Sequence, residues 1–138
     1  ALESSGLNLI AGEIHNIAKT KGWWADATDP DSDIFTTSQE HLDLDRCLIA
    51  EKLLMIHSEI SEATEELREA KSFDDLSAVD FMDPDDSCKP TGFAVELADA
   101  IIRLLDLSAF LGIDIEEALA EKIAFNRSRP YRHGGKRL

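Results

Sequence analysis

The stretch from Leu54 to Leu67 constrains this chain most, because it reads as one amphipathic helix whose polar side is crowded with carboxylates. With Ile60 set at zero and an advance of 100° per residue, Leu53, Ile56, Ala63 and Leu67 fall within about 60° of it. That is an apolar stripe, and Glu59, Glu62 and Glu66 share one flank of it. Carboxylates three or four apart on a helix repel one another unless something positive lies between them. A second segment, Ala94 to Ile101, repeats the geometry. Around Leu97, Ile101 and Leu104 lie on the apolar side, and Glu96, Asp99 and Arg103 occupy the matching arc. Two such helices packed by their apolar stripes would hold four carboxylates beside one seam. An oxygen-rich, negative pocket of that kind suits a hard divalent cation, Mg²⁺ or Mn²⁺. Either pair alone is also what a solvated acidic helix face carries, and spacing does not separate the two readings.

The rest of the chain reads as further helices. Leu7, Ile10, Ile14, Ile17 and Ala18 keep helical spacing, which predicts a first helix over 5–21 stopped by Gly22. Trp23 and Trp24 follow, then a polar loop over 25–37. Thr37-Ser38-Gln39-Glu40 is a capping box that opens a long second helix, about 38–71. Residues 72–92 form an acidic inserted loop with Pro84 and Pro90, and a short helical turn is expected near Asp74–Val79. Thr91 is placed to cap a third helix over 92–111, ended by Gly112. Asp114-Ile115-Glu116-Glu117 starts a fourth, with Ile113 as its hydrophobic staple. It runs to about Arg127, and Pro130 and Gly134-Gly135 end it. No stretch alternates as a strand does. The expected fold is all-α, a four-helix bundle, in one domain spanning 1–138.

Charge narrows the partners. The net charge of −14 argues against nucleic acid. A basic tail over 128–138, preceded by Arg127, offsets an otherwise strongly acidic body and can meet an anionic ligand. No apolar run is long enough for a transmembrane helix, and no basic-then-apolar leader is visible. Cys47 and Cys88 make neither a disulfide framework nor a zinc pattern, so a reduced, cytoplasmic setting is the expectation.

Other constellations compete for the acidic residues. A di-iron bundle needs Glu-x-x-His on two helices, and no histidine here has a glutamate three residues before it. Asp29 to Glu40 imitates an EF-hand loop but places Ile34 where the turn needs glycine. Lys122, Asn126 and Arg129 line one face and the end of the last helix. Cations there are also ordinary partners of the helix dipole. Trp23 and Trp24 fit either bundle-end packing or a stacking surface for a base.

Taken in order, Glu59-x-x-Glu62, Glu96-x-x-Asp99 and Lys122-x-x-x-Asn126-x-x-Arg129 resemble the MazG-like all-α nucleoside triphosphate pyrophosphohydrolases, of the dCTPase/dimeric dUTPase-like superfamily. The likeness extends over Lys21-Gly22-Trp23-Trp24, His57 to Ala63, Glu96 to Arg103, Gly112-Ile113-Asp114 and the closing Arg129 to Lys136. The 33 residues between Glu62 and Glu96 exceed the usual family spacing. The resemblance implies a Mg²⁺-dependent (Mn²⁺ possible) enzyme that splits a nucleoside triphosphate into monophosphate and pyrophosphate. It implies Glu59, Glu62, Glu96 and Asp99 as metal ligands, with Glu59 or Glu62 as the base that takes a proton from water. Lys122, Asn126 and Arg129 then hold phosphates. His15 pairs with Trp24, or Trp23, at the nucleotide pocket, as in dCTP-hydrolysing relatives. Family members are homodimers or homotetramers. The alternatives are a non-catalytic helical module that binds nucleotide or metal, and a pyrophosphohydrolase of another nucleotide such as phosphoribosyl-ATP.

Overall fold

In the computed structural model, residues 6–24, 39–81 and 88–130 are described, with side chains from residue 45 onward in the second segment. The elements are α1 (Leu7–Thr20), α2 (Gln39–Glu69), α3 (Phe73–Ser77), β1 (Asp80–Phe81), β2 (Pro90–Thr91), α4 (Phe93–Phe110) and α5 (Ile115–Ser128). The fold is all-α, as the periodicity predicts. The addition is a two-stranded antiparallel ladder that pairs Asp80 with Thr91 and Phe81 with Pro90. Two residues per strand are too few to show alternation in sequence. No helix among the described residues is long and apolar enough to cross a membrane.

Two glycines set the ends of α1 and α4. Gly22 and Gly112 take φ of 79° and 65°, the left-handed region that favours glycine. Each lets the next residue reach back to close the helix, Trp23 N–H to Ala18 O at 3.0 Å and Ile113 N–H to Ser108 O at 2.9 Å. The first closure delivers the tryptophan pair to the bundle. The second delivers Asp114, whose side chain accepts from Glu117 N–H and caps α5. Asn8 of α1 donates to Asp114 Oδ1 at 2.8 Å and accepts from Ile115 N–H at 3.1 Å, which pins the start of α5 to the start of α1. The short α3 carries a full capping box between Ser72 and Asp75. The expected cap at Thr91 is not formed. Gly92, with φ 114°, stands at that position with no side-chain cap, and Thr91 is drawn into the ladder instead. The capping box at Thr37–Glu40 and the loop over 25–37 lie outside the described residues and side chains.

Helix α4 packs against both α1 and α2 and is the centre of the fold. Among the described residues the apolar core gathers Ala18, Trp24, Ile56 and Leu107, with Leu48, Phe110 and Leu111 against them. Ala63 and Ala100 are also buried.

The face that α2 turns inward differs from the one its apolar stripe predicts. Ile56, Glu59 and Ala63 are buried, whereas Leu53, Ile60 and Leu67 stand 46–49% exposed. On α4, Leu97, Ile101 and Leu104 are likewise 40–54% exposed, and Ala100 and Leu107 are buried. Both helices are therefore rotated relative to the expectation. The seam between them holds Ile56, Glu59 and Ala63 of α2 against Ala100 and Leu107 of α4, and the larger apolar side chains of both stripes stand half-exposed on the other side.

Candidate functional site

That rotation brings Glu59, Glu96 and Asp99 together. Each offers a carboxylate oxygen, and the three lie within 4.8 Å of one another. Glu59 is buried by its position three residues after Ile56 and four before Ala63, in the middle of the inward face of α2. Its partner is Arg103 Nε on α4, and the Glu59 side chain in this pair is only 8% exposed. Burial and neighbouring negative charge act on the other two. Glu96 is pushed above the usual carboxylate range, first by burial and then by the charges of Glu62, Asp99, Glu59 and Glu66. Asp99 is raised by burial and by Glu59, while Arg103 and Lys89 pull the other way. Glu62 is exposed and outside the three-oxygen set, yet close enough for its charge to act on Glu96. The chemistry of the donor set, three converging carboxylate oxygens, fits a hard divalent ion.

Beside this cluster is a cleft lined by Trp23, Trp24, Lys52, Arg103, Asp106 and Leu107. Asp106 is its anchor. Although buried, it accepts from Trp24 Nε1 at 3.1 and 3.0 Å through its two oxygens, and His15 Nδ1 lies 2.7 Å from Oδ1. His15 and Trp24 thus meet edge to face, with ring centroids 5.4 Å apart. The structure also separates the two tryptophans. Trp24 is stacked on Phe110 at 4.0 Å, and Lys52 Nζ lies 4.5 Å from its ring centroid. Trp24 is buried and belongs to the apolar core. Trp23, 52% exposed, keeps its ring available, and its carbonyl accepts from Lys52 Nζ at 2.8 Å.

The residues predicted to hold phosphates lie on α5 and its C-terminal end. Lys122, Asn126 and Arg129 are exposed, and Lys122 and Arg129 lie over the Phe125 ring at 5.0 and 5.7 Å. Among the described residues, no hydrogen bond or ion pair joins them to the carboxylates.

Asp106, Lys52 and Phe110 were not singled out from sequence, and Arg103 was placed on the acidic arc without a role. A signal existed. Glu96, Asp99, Arg103, Asp106 and Phe110 continue one inward stripe at alternating steps of three and four, and Lys52 precedes Glu59 by one heptad.

Fold and site together define an all-α protein with an acidic, cation-ready cluster beside a tryptophan- and lysine-lined cleft. Over 37 residues the chain is 46% identical to a dATP/dGTP diphosphohydrolase of Cyanophage S-2L, a stretch that covers 27% of this chain and 35% of that protein. No family model matches the chain, and no solved structure matches it.

Proposed function

We propose that the protein is a nucleoside triphosphate pyrophosphohydrolase of the MazG-like all-α kind, dependent on Mg²⁺ or Mn²⁺. The observation that carries this reading is the convergence of Glu59, Glu96 and Asp99 within 4.8 Å. The partial likeness to a dATP/dGTP diphosphohydrolase supports the substrate class. A divalent ion held by Glu59, Glu96 and Asp99, with Glu62 beside them, would supply Lewis-acid activation at the α-phosphate. The remaining work falls to the chain. Glu62, exposed and at the edge of the cluster, takes the proton from the attacking water. The water oxygen bonds to the α-phosphorus, the bond to the bridging oxygen breaks, and pyrophosphate leaves with that electron pair. Trp23 stacks on the base, and Asp106 keeps His15 and Trp24 fixed beneath it.

Self-association completes the reading. Leu53, Ile60 and Leu67 with Leu97, Ile101 and Leu104 form outward apolar stripes on adjacent helices, and Leu119, Ile123 and Phe125 are exposed on α5. Apolar faces of this extent are covered in stable assemblies. Lys122, Asn126 and Arg129, remote from the carboxylates by any described contact, then act on phosphates across a subunit boundary. Sedimentation equilibrium is expected to give a dimer or tetramer, and Ile101→Glu is expected to shift it toward monomer. A wild-type monomer at micromolar concentration would contradict this part.

The activity is tested with a panel of dATP, dGTP, other dNTPs, NTPs and phosphoribosyl-ATP in Mg²⁺, with quantification of both products. Equal yields of pyrophosphate and monophosphate, abolished by EDTA, are expected for at least one substrate. Binding without cleavage would favour a non-catalytic module, release of orthophosphate would exclude attack at the α-phosphorus, and release of intact triphosphate would exclude pyrophosphate as the leaving group.

A further inference from the structure

Arg103 stands where the carboxylate cluster and the cleft meet. Its Nε donates to Glu59, and its side chain, 31% exposed, also lines the cleft with Trp23 and Lys52. A guanidinium has five N–H donors in a rigid fork, and among the described residues only Nε has a hydrogen-bond partner here. The two η nitrogens have no hydrogen-bond partner among the described residues. Glu59, in turn, is one of the three oxygens that converge for a cation. A divalent ion and Arg103 therefore claim the same carboxylate.

We propose that Arg103 is the exchange partner of the metal at Glu59 and a phosphate-binding residue of the loaded site. In the metal-free protein it neutralises the buried carboxylate, which would otherwise be an unpaired charge in a low-dielectric seam. When a divalent cation takes Glu59, the guanidinium is released toward the cleft. There it stands with Lys52 in the lining of the cleft, in reach of the polyphosphate that the cation brings. A planar fork matches phosphate oxygens two at a time, a recognition lysine does not reproduce. This inference rests on the hydrolase reading only for the identity of the anion. The exchange itself concerns Glu59, Arg103 and a cation.

The two roles have opposite signs, and that makes them testable. Arg103→Gln removes a competitor and a repelling charge, so Mn²⁺ alone is expected to bind about tenfold more tightly. The same variant is expected to bind inorganic pyrophosphate, in the presence of saturating Mn²⁺, about tenfold more weakly, and to raise KM for the best nucleotide by a similar factor. Arg103→Lys keeps the charge but not the fork: Mn²⁺ affinity stays near wild type while pyrophosphate binding is still weakened. Calorimetric titrations of Mn²⁺ and of pyrophosphate read both signs without requiring turnover. Weaker or unchanged Mn²⁺ binding in Arg103→Gln overturns the exchange. Unchanged pyrophosphate affinity overturns the phosphate role. A wild type that releases no pyrophosphate from any nucleotide defeats the hydrolase reading, and the two titrations still decide Arg103.

Discussion

Glu96→Gln is expected to lower Mg²⁺-dependent turnover by at least about 100-fold while raising the melting temperature of the metal-free protein at neutral pH. The loss follows from removing one of three converging oxygens. The gain follows from electrostatics. Glu96 is held above its ordinary pKa of 4.5 by burial and by four neighbouring carboxylates, so its ionised form is disfavoured in the fold. A group raised in this way makes the folded state bind more protons than the unfolded state from pH 4.5 up to its folded value. Stability from Glu96 therefore falls as pH rises through that window and stays low above it. Glutamine carries no such penalty. The variant's advantage should be largest near neutrality and shrink as the pH falls toward 4.5, and saturating Mg²⁺ should stabilise wild type more than variant. Thermal melts across pH 4.5–8, with and without Mg²⁺, measure both effects. A variant less stable than wild type at every pH would show that Glu96 is structural and not part of a repelling cluster. The caps behave oppositely in a separate range. Asp114, lowered first by its bond from Asn8 and then by Glu117 N–H, contributes stability above pH 3.8 that is lost as pH falls below it.

Asp106→Ala is expected to be the most destabilising single change in the described core. Asp106 accepts from the buried Trp24 indole at 3.0 Å and lies 2.7 Å from His15 Nδ1. Alanine leaves both donors without a partner in the seam. Each unsatisfied donor costs about 1–3 kcal/mol, so a loss of about 2–6 kcal/mol follows. For a chain of this length that lowers the melting temperature by roughly 10 °C or more. Asp106→Asn keeps one carbonyl acceptor and should lose about half as much. Urea unfolding of the three proteins decides it. An alanine variant within about 0.5 kcal/mol of wild type would mean that water replaces the carboxylate and that the His15–Trp24 arrangement is not held by it.

Much of the fold is legible in the sequence because helix punctuation is local. Gly22, Gly112 and Asp114 stop and start helices through backbone conformations and side-chain caps that need no tertiary information. The short turn expected near Asp74–Val79 forms as Phe73–Ser77, again from a local capping box. What is not local was harder to read. The stripe around Ile60 is a good apolar stripe, and the natural inference buries it. Within one chain only its Ile56–Ala63 edge is buried, together with Glu59, while Leu53, Ile60 and Leu67 stand half-exposed. An amphipathic pattern tells which residues avoid water, not whether the same chain or another molecule covers them. The pairing of Glu59 with Arg103 and the anchoring of Trp24 by Asp106 were equally hidden. Such polar contacts depend on which helices meet, although the seven-residue step from Lys52 to Glu59 and the three-residue step from Arg103 to Asp106 held the clue.

Every proposed role follows from Glu59, Glu96 and Asp99 acting together as a divalent-cation site. A Mn²⁺ titration followed by electron paramagnetic resonance tests it most directly, on wild type and on Asp99→Asn. The account predicts saturable binding to wild type and affinity weakened at least about tenfold in the variant, with the helical content of both unchanged. Equal affinity in the two proteins, or no binding to wild type up to millimolar Mn²⁺, would contradict it.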